Sequence, residues 1–361
     1  MTVGNSMSNS RIKRDGLQSS NDLIKFADRL FATFDKAFAA AAFRTSKCIG
    51  QSTVEIRTSL EEQHNVIVKG LSGKESQSVA DCKILVACGD SLGLPSTPQW
   101  LLQYYSDLLN ELELSPTQYR VHHYPERDFW QFYCLESQRG VQLMLTPHSL
   151  PDWDSGSPLR NFLHWHLSGK TSGLVHAGVL GIEGRGALFF GPGGSGKSGT
   201  VLAGILHGLQ SVGDDYVLVK MADTVTAMPL FTTLKSDPAG LKRLGVDQSA
   251  DWAQTINWQG KNQFSFADIT DTGQPGQIKI DALFLPHVAF AEKTSLEPLQ
   301  GKQAFLALAP TGIAQIPGNR EQNFAFCAEL SRRLPAYRVV LGTDPVEITN
   351  TLKNFISKMR G

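Results

Sequence analysis

Residues Gly191–Ser198 read Gly-Pro-Gly-Gly-Ser-Gly-Lys-Ser, the G-x-x-x-x-G-K-[ST] pattern of a phosphate-binding loop. Its glycines allow a turn in which successive backbone N–H groups point inward at a polyphosphate. Lys197 supplies a positive charge for the β- and γ-phosphates, and Ser198 supplies a hydroxyl ligand for Mg²⁺. A helix that begins here directs its partial positive charge at the same anion. We therefore predict a nucleotide-binding loop formed by Gly191, Pro192, Gly193, Gly194, Ser195, Gly196, Lys197 and Ser198.

The sequence on either side of the loop has the strand and helix patterns that this motif requires. The apolar run Gly186–Phe190 ends directly at the loop and predicts a buried parallel strand. Residues Thr200–Leu206 predict a helix, with Gly208 as its C-cap. Gly199 and Gly204 each lower helix stability by roughly 1 kcal/mol relative to alanine, so tertiary packing must stabilise this helix. This context disfavours the alternative, a glycine-rich turn with an exposed lysine.

Two adjacent carboxylates, Asp214 and Asp215, precede the apolar strand pattern Tyr216–Val219. Taken alone, paired aspartates at the start of a strand are typical of a solvated turn. Here they follow the helix of the phosphate loop, where one carboxylate can hold a metal ion and the other can accept a proton from an attacking hydroxyl. Two like charges side by side also raise one of the two pKa values, which suits a base. We therefore predict that both aspartates are functional.

Composition narrows the class of protein. The chain has 361 residues, with 34 basic and 34 acidic side chains and a formal net charge of zero, so no global charge favours nucleic acid or a membrane surface. No apolar run is long enough to span a bilayer. The cysteines are odd in number and contain no Cys-x-x-Cys pair, which argues against a disulfide framework or a zinc site and fits a reducing cytoplasm: Cys48, Cys82, Cys88, Cys134 and Cys327.

We predict three segments. Residues 1–20 are rich in Ser and Asn and lack the apolar core of a secretory signal, so we expect a disordered lead. Residues 21–150 predict an α+β region without a catalytic constellation. Its predicted elements are an amphipathic helix over 23–38, a strand over 83–88, a helix over 100–114, and paired strands over 129–135 and 141–145.

Residues 151–361 predict the domain that contains the phosphate loop. The helix pattern Leu159–Leu167 includes His164 and His166, which are two residues apart and so do not share a helix face; packing or surface roles are favoured over metal binding. His176, in the predicted strand Leu174–Leu180, is by itself typical of a core histidine. The other predictions are strands over 280–285, 304–309 and 337–341, helices over 320–334 and 345–359, and a loop-rich stretch over 247–277.

Together, His176, Lys197 and Asp214–Asp215 resemble the kinase domain of HPr kinase/phosphorylase. In that family a His-containing strand, a phosphate loop and an Asp-Asp turn occur in this order and at this spacing. The surrounding sequence resembles a less characterised branch of the superfamily, and the likeness covers about residues 150–361. The stretches that carry it are Ser157–His166, Leu174–Ala177, Gly213–Val217, Leu234–Lys235, Leu334–Arg338 and Leu341–Gly342.

The resemblance implies an α/β fold of the phosphoenolpyruvate-carboxykinase type and a serine kinase that uses ATP and Mg²⁺ to phosphorylate a protein or peptide. It places Asp215 as the proton acceptor, His176 as a catalytic histidine and Ser198 as a magnesium ligand. It also implies that Asp214 is a supporting carboxylate near the metal or the base. The oligomeric state is left open, a homo-oligomer included.

The chain departs from the family pattern in three places, one of which is Gly199, where many such loops have a hydroxyl or an acid. The stretch Gly240–Gly245 has no counterpart of the family's downstream magnesium-binding Glu, for which Asp237 is a substitute candidate. The family's later arginine has two candidates here, Arg320 and Arg338. Two alternatives stay open. A kinase for a small molecule on the same fold is one that distant carboxykinase relatives would allow, and a nucleotide-binding regulator without turnover is favoured by the missing Glu.

Overall fold

The computed structural model describes residues 19–98, 118–124, 129–149, 152–246, 256–257, 259–313 and 317–359. These residues form a mixed α/β structure with two large sheets and a small two-stranded sheet. The helix predicted over 100–114, and all but the last two residues of the lead predicted over 1–20, lie outside the described residues. No helix in the described part of the chain combines the length and the apolar character that crossing a bilayer requires.

The first sheet lies in the N-terminal part of the chain. Its strands are β1 (Phe43–Ile49), β2 (Ser52–Thr58), β3 (Lys74–Glu75), β4 (Cys82–Cys88), β5 (Tyr119–Tyr124), β6 (Phe129–Cys134) and β7 (Arg139–Met144). They are arranged in the order β3-β1-β2-β4-β7-β6-β5, in which β2, β4 and β7 run parallel and the other pairs are antiparallel. The strands predicted over 83–88, 129–135 and 141–145 are confirmed.

Two consecutive helices, α1 (Ser20–Ala32) and α2 (Phe34–Ala40), cover one face of this sheet. The hydroxyl of Ser19 accepts a hydrogen bond from the backbone N–H of Asp22 and so caps α1. The apolar positions predicted as one helix face are buried, as at Leu23 and Leu30, and pack against Phe132 of the sheet. The amphipathic pattern therefore marks residues that face the core. They lie on two consecutive helices and not on the single helix predicted from the sequence. The opposite face carries α3 (Glu61–Gly70).

The second sheet lies in the C-terminal part of the chain. Its strands are β8 (Ser172–Val175), β9 (Gly178–Ile182), β10 (Arg185–Phe189), β11 (Val217–Met221), β12 (Val225–Pro229), β15 (Ile278–Ala291), β16 (Ser295–Leu299) and β17 (Ala336–Gly342). Six of them follow the order β16-β17-β15-β12-β11-β8, while β10 pairs with β15 and with β9. The small sheet consists of β13 (Thr233–Ser236) and β14 (Asn262–Ser265).

Helices connect and cover these strands: α4 (Arg160–Leu167), α5 (Lys197–Leu206), α6 (Pro238–Arg243), α7 (Phe266–Ile269), α8 (Gly301–Ile313), α9 (Arg320–Arg333) and α10 (Pro345–Lys358). The helices predicted over 159–167, 200–206, 320–334 and 345–359 are confirmed within a few residues, as are the strands over 280–285 and 337–341. The described part of the stretch predicted to be loop-rich, 247–277, contains β14 and α7.

Two of the predicted strands are wrong. The strand predicted over 174–180 is two strands, β8 and β9, because the chain leaves its pairing with β11 and continues against β10, with His176 in the break. The strand predicted over 304–309 lies inside helix α8. There Ala304 and Leu308 are buried one helical turn apart while Leu306 is 60% exposed, so this apolar run follows the helical period.

Helix α4 lies between the two sheets and joins their cores. Phe162 and Leu163 of this helix belong to one buried cluster with Ile56 of the first sheet and with Leu218 and Met228 of the second. The N-terminal residue of α4, Arg160, is therefore held by a core that both parts of the chain share.

The strand directions determine where a site can form. Strand β15 runs parallel to β10 on one side and to β17 on the other, so these three strands end at the same edge of the sheet. Ligands of open α/β sheets bind outside the carboxyl ends of such strands. The phosphate loop follows β10 at this edge.

Candidate active site

The predicted phosphate loop connects strand β10 to helix α5. The backbone N–H of Phe190 donates to the carbonyl of Phe284 over 3.0 Å, which extends the pairing of β10 with β15 up to the loop. Gly191, Gly194 and Gly196 then adopt φ angles of 131°, 78° and 104°, a region that residues with a Cβ rarely occupy. Helix α5 starts immediately after Gly196. The strand, loop and helix predicted from the sequence are thus present.

Lys197 lies inside the loop. Its Nζ atom donates to the carbonyl oxygens of Gly191 over 2.7 Å and of Pro192 over 3.0 Å, and only 6% of the residue is exposed. Burial lowers the pKa of Lys197, while the neighbouring Asp214 and Asp215 oppose that shift. The ammonium is held by neutral carbonyl groups, which a phosphate oxygen can replace as hydrogen-bond partners.

Asp214 is the member of the aspartate pair that faces the loop. It is 4% exposed, and burial, together with the charge of Asp215, raises its pKa to about 6 against the effect of a hydrogen bond with Ser198. Its Oδ1 atom has no hydrogen-bond partner among the described residues. A buried carboxylate oxygen without a partner is costly, so this atom is available for a cation or a proton.

Asp215 is held by two side chains, Lys235 and His176. Its Oδ1 atom lies 3.1 Å from Nε2 of His176, and its Oδ2 atom accepts from Nζ of Lys235 over 2.9 Å. Burial alone would raise the pKa of Asp215, but Lys235 and His176 together hold it well below its usual range. The two neighbouring aspartates therefore differ: Asp215 is ionised, and Asp214 is the one with the raised pKa.

Tyr216 packs against His176, and Arg160 in turn contacts Tyr216. The rings of His176 and Tyr216 stack with centroids 5.0 Å apart. Nη1 of Arg160 donates to the Tyr216 hydroxyl over 3.1 Å, and the guanidinium lies 4.8 Å from the centre of that ring. Burial raises the pKa of Tyr216 to about 12, so its hydroxyl stays protonated. This stack fixes the orientation of the imidazole that bonds Asp215.

These groups line one cavity of about 530 Å³. Its side chains include five cations and three carboxylates: Arg160, Lys197, Lys235, Arg243, Lys261, Asp214, Asp215 and Asp237. Because the cations outnumber the carboxylates, the cavity carries an excess of positive charge. Such a cavity attracts anions, as a site for a polyphosphate would have to.

The structure brings most of the predicted site residues together. Those that line the cavity are His176, Gly193, Gly194, Gly196, Lys197, Ser198, Asp214 and Asp215. Gly191 and Pro192 instead contribute the carbonyl groups that hold Lys197, and Oγ of Ser195 is buried without a hydrogen-bond partner among the described residues.

The candidates raised by the departures from the family pattern are placed differently. Asp237 lines the cavity, but its Oδ1 atom accepts from the backbone N–H of Gly240 over 2.6 Å and caps helix α6. Arg320 and Arg338 are not among the residues that line the cavity, and Arg338 is exposed. Among the described residues that line the cavity, the arginines are Arg160 and Arg243.

Lys235 and Arg160 are site residues that the sequence does not single out. Lys235 lies on β13, a strand of the small sheet, and reaches Asp215 across 20 positions of sequence. Arg160 begins a helix that looks, by sequence, like an ordinary packing element. The one signal for either is that both fall in stretches that resemble the kinase family.

The donor set beside the loop fits Mg²⁺. Ser198 supplies a hydroxyl, and Asp214 supplies a carboxylate with one unpartnered oxygen. Mg²⁺ in phosphate sites uses one or two such protein ligands, with phosphate oxygens and water completing the octahedron. In the described part of the chain there is no group of three or more His, Cys, Asp and Glu that could hold a metal, so the protein alone does not supply a complete coordination shell there.

No protein-family model matches the chain, and the comparison with curated proteins gives no match either. Among solved structures, the chain is similar to the Hpr(Ser) kinase/phosphatase from Coxiella burnetii. That similarity covers 52% of this chain and 99% of the other, with 17% sequence identity and a TM-score of 0.30. A TM-score this low carries no argument about fold or function, so function has to be argued from the cavity itself.

Proposed function

We propose that this protein is a phosphotransferase that moves the γ-phosphoryl group of ATP, with Mg²⁺, to a serine hydroxyl of a protein or peptide. The observation that carries the proposal is that one cavity holds both the Gly191–Ser198 loop and the ionised Asp215. The loop fits a phosphoryl donor, and Asp215 fits an acceptor hydroxyl. The kinase unit is proposed to comprise residues 151–361.

The donor nucleotide binds through the backbone N–H groups of the loop and through the positive charge of Lys197. The N–H groups of the loop and the N-terminus of α5 point at the phosphates, and Lys197 exchanges the carbonyls of Gly191 and Pro192 for phosphate oxygens. Ser198 and Asp214 would hold Mg²⁺, which offsets the charge of the phosphates when it is bound.

The acceptor hydroxyl donates a hydrogen bond to Asp215. Each carboxylate oxygen has two lone pairs, so the existing bonds from His176 and Lys235 leave room for a third donor. As the oxygen of the hydroxyl bonds phosphorus and the bond to the leaving phosphate breaks, the hydroxyl proton passes to Asp215. The low pKa of Asp215 is compatible with this role because the transition state is loose and the proton leaves late.

His176 and Lys235 act through Asp215. They fix both carboxylate oxygens, and Tyr216 and Arg160 fix the imidazole in turn. Most of the rate enhancement then comes from positioning and from the positive charge of the cavity. The serine kinase is preferred over a small-molecule kinase because the resembling sequence stretches belong to a protein-kinase family.

The test is incubation of the purified protein with Mg²⁺, γ-labelled ATP and an extract of the source cells, followed by separation of polypeptides from small molecules. Label on a polypeptide supports the proposal. Label on a metabolite supports the small-molecule kinase, and tight ATP binding without any transfer supports a nucleotide-binding regulator. Omission of Mg²⁺ is the control for metal dependence.

A further inference from the structure

A second cavity, of about 140 Å³, adjoins the phosphate loop. It lies between the start of α5, helix α6, and the ends of β15 and β17. Five residues line both cavities: Gly196, Gly199, Gly240, Arg243 and Val288. The smaller cavity, which we name the recess, is therefore continuous with the phosphate site.

The wall that α5 contributes to the recess is made of small residues. Gly196, Gly199, Thr200 and Ala203 are spaced so that they share one helix face. A Cβ atom built on Gly199 would meet no heavy atom within 4 Å. The space beside the helix is thus open, and packing does not require glycine at this position.

Phe290 forms the mouth of the recess. The register between β15 and β17 shifts between Val288 and Ala291, which places Phe290 in a bulge at the end of β15. Its φ angle is 51°, and 70% of the residue is exposed. Bulges re-aim side chains next to functional sites, and a strained aromatic residue left in solvent suggests a ligand that covers it.

The rest of the lining is mostly apolar. Leu244, Val288, Leu341 and Ile348 contribute aliphatic surface, and the polar side chains among the described lining residues are Thr200, Arg243 and Thr343. A flat aromatic group fits such a surface, and the two threonine hydroxyls can each donate or accept a hydrogen bond, so they do not select one purine edge over another. Arg243 also lines the phosphate cavity. Stacking on an aromatic side chain is tolerant of base identity because every base has a π-face.

We propose that the recess holds the base of the donor nucleotide, stacked on Phe290, and that it discriminates little between adenine and guanine. The inference rests on the proposed function, since the phosphates must lie on the Gly191–Ser198 loop for the base to reach the recess. It adds a donor class to that function: purine nucleoside triphosphates in general, in place of ATP alone.

The experiment measures binding of Mg·ATP, Mg·GTP and Mg·tripolyphosphate to the full chain by isothermal titration calorimetry. We expect ATP and GTP to bind with dissociation constants within about fivefold of each other, and Phe290→Ala to weaken both by about tenfold or more while tripolyphosphate binding is unchanged. Phe324→Ala is the matched control, because Phe324 is also exposed, at 52%, and lies on α9 outside the recess.

A second variant, Ala203→Leu, fills the recess from the helix side at a residue that does not line the phosphate cavity, so it should weaken the binding of ATP and GTP but not that of tripolyphosphate. Equal affinity of the wild type for ATP and tripolyphosphate, or an unchanged ATP affinity in Phe290→Ala, would overturn the base site. A difference of about 100-fold between ATP and GTP would overturn the low discrimination. If tripolyphosphate and both nucleotides all fail to bind the wild type, the proposed function fails and this inference falls with it.

Discussion

Nζ of Lys235 lies 2.9 Å from Oδ2 of Asp215, and both side chains are largely buried. The contact joins strand β13 of the small sheet to the turn before β11. Because burial favours the neutral carboxyl, it is this lysine, with His176, that keeps Asp215 ionised. The ion pair is therefore part of the proposed transfer machinery, since an ionised Asp215 is what can accept a hydrogen bond from the substrate hydroxyl.

Replacement of this lysine is the first prediction. Lys235→Met should lower kcat by about 10²-fold, because Asp215 loses its closest cation, while ATP affinity stays within about twofold. Steady-state kinetics and ATP titration measure the two quantities. Lys261→Met is the matched control, because Lys261 lines the same cavity and has no ion pair with Asp215 among the described contacts. A loss of kcat no larger than in the control would remove Lys235 from the mechanism.

The phosphate loop gives the second prediction. Gly196→Ala should abolish detectable ATP binding, because φ at this position is 104° and a Cβ atom would lie 2.6 Å from Cδ1 of Leu341. Gly193→Ala should bind ATP normally, since a Cβ there meets nothing within 4 Å. Titration calorimetry distinguishes the two variants. Equal binding by both would mean that the observed backbone conformation of the loop is not needed for the nucleotide.

The phosphate loop could be predicted from the sequence because its determinants are local. Glycine conformations, the preceding apolar strand and the start of α5 are all encoded within 20 or so neighbouring positions. The strand predicted over 304–309 shows the opposite case, because a short apolar run does not reveal whether it has the period of a strand or of a helix. Only the structure shows that Ala304 and Leu308 are buried while Leu306 between them is exposed, which is the pattern of helix α8.

The support around Asp215 could not be predicted in the same way. His176 lies in a break between strands that reads as one continuous apolar run, and Arg160 approaches it only because α4 packs between two sheets. No local sequence pattern marks Lys235 as a partner of Asp215. These contacts depend on tertiary packing, which no local sequence pattern encodes.

A buried carboxyl outside the cavity lining gives the third prediction. Burial, opposed by Arg160, raises the pKa of Asp154 from 3.8 to about 7. Since the folded pKa is above the unfolded one, the folded state binds more protons between these values, and stability falls as pH rises through this window. Asp154→Asn should therefore be more stable than the wild type at pH 8, by at most ~4 kcal/mol, with the difference shrinking towards pH 4.

Urea unfolding at several pH values measures this effect. Asp268→Asn is a suitable control because Asp268 is an exposed capping residue of α7. A stability difference for Asp154→Asn that is independent of pH would contradict the raised pKa.

In the proposed transfer, the acceptor hydroxyl gives its proton to Asp215, and this step can be tested experimentally. Its most direct test is a single-turnover measurement in which the wild type and Asp215→Asn are each saturated with Mg²⁺ and γ-labelled ATP and then mixed with the acceptor fraction of the cell extract. Asp237→Asn is the control, because Asp237 lines the same cavity but caps α6, and asparagine caps a helix as well as aspartate does. We predict that the wild type and Asp237→Asn transfer label to serine on a polypeptide, and that Asp215→Asn binds the same amount of ATP and transfers none. Equal transfer by Asp215→Asn would contradict the account.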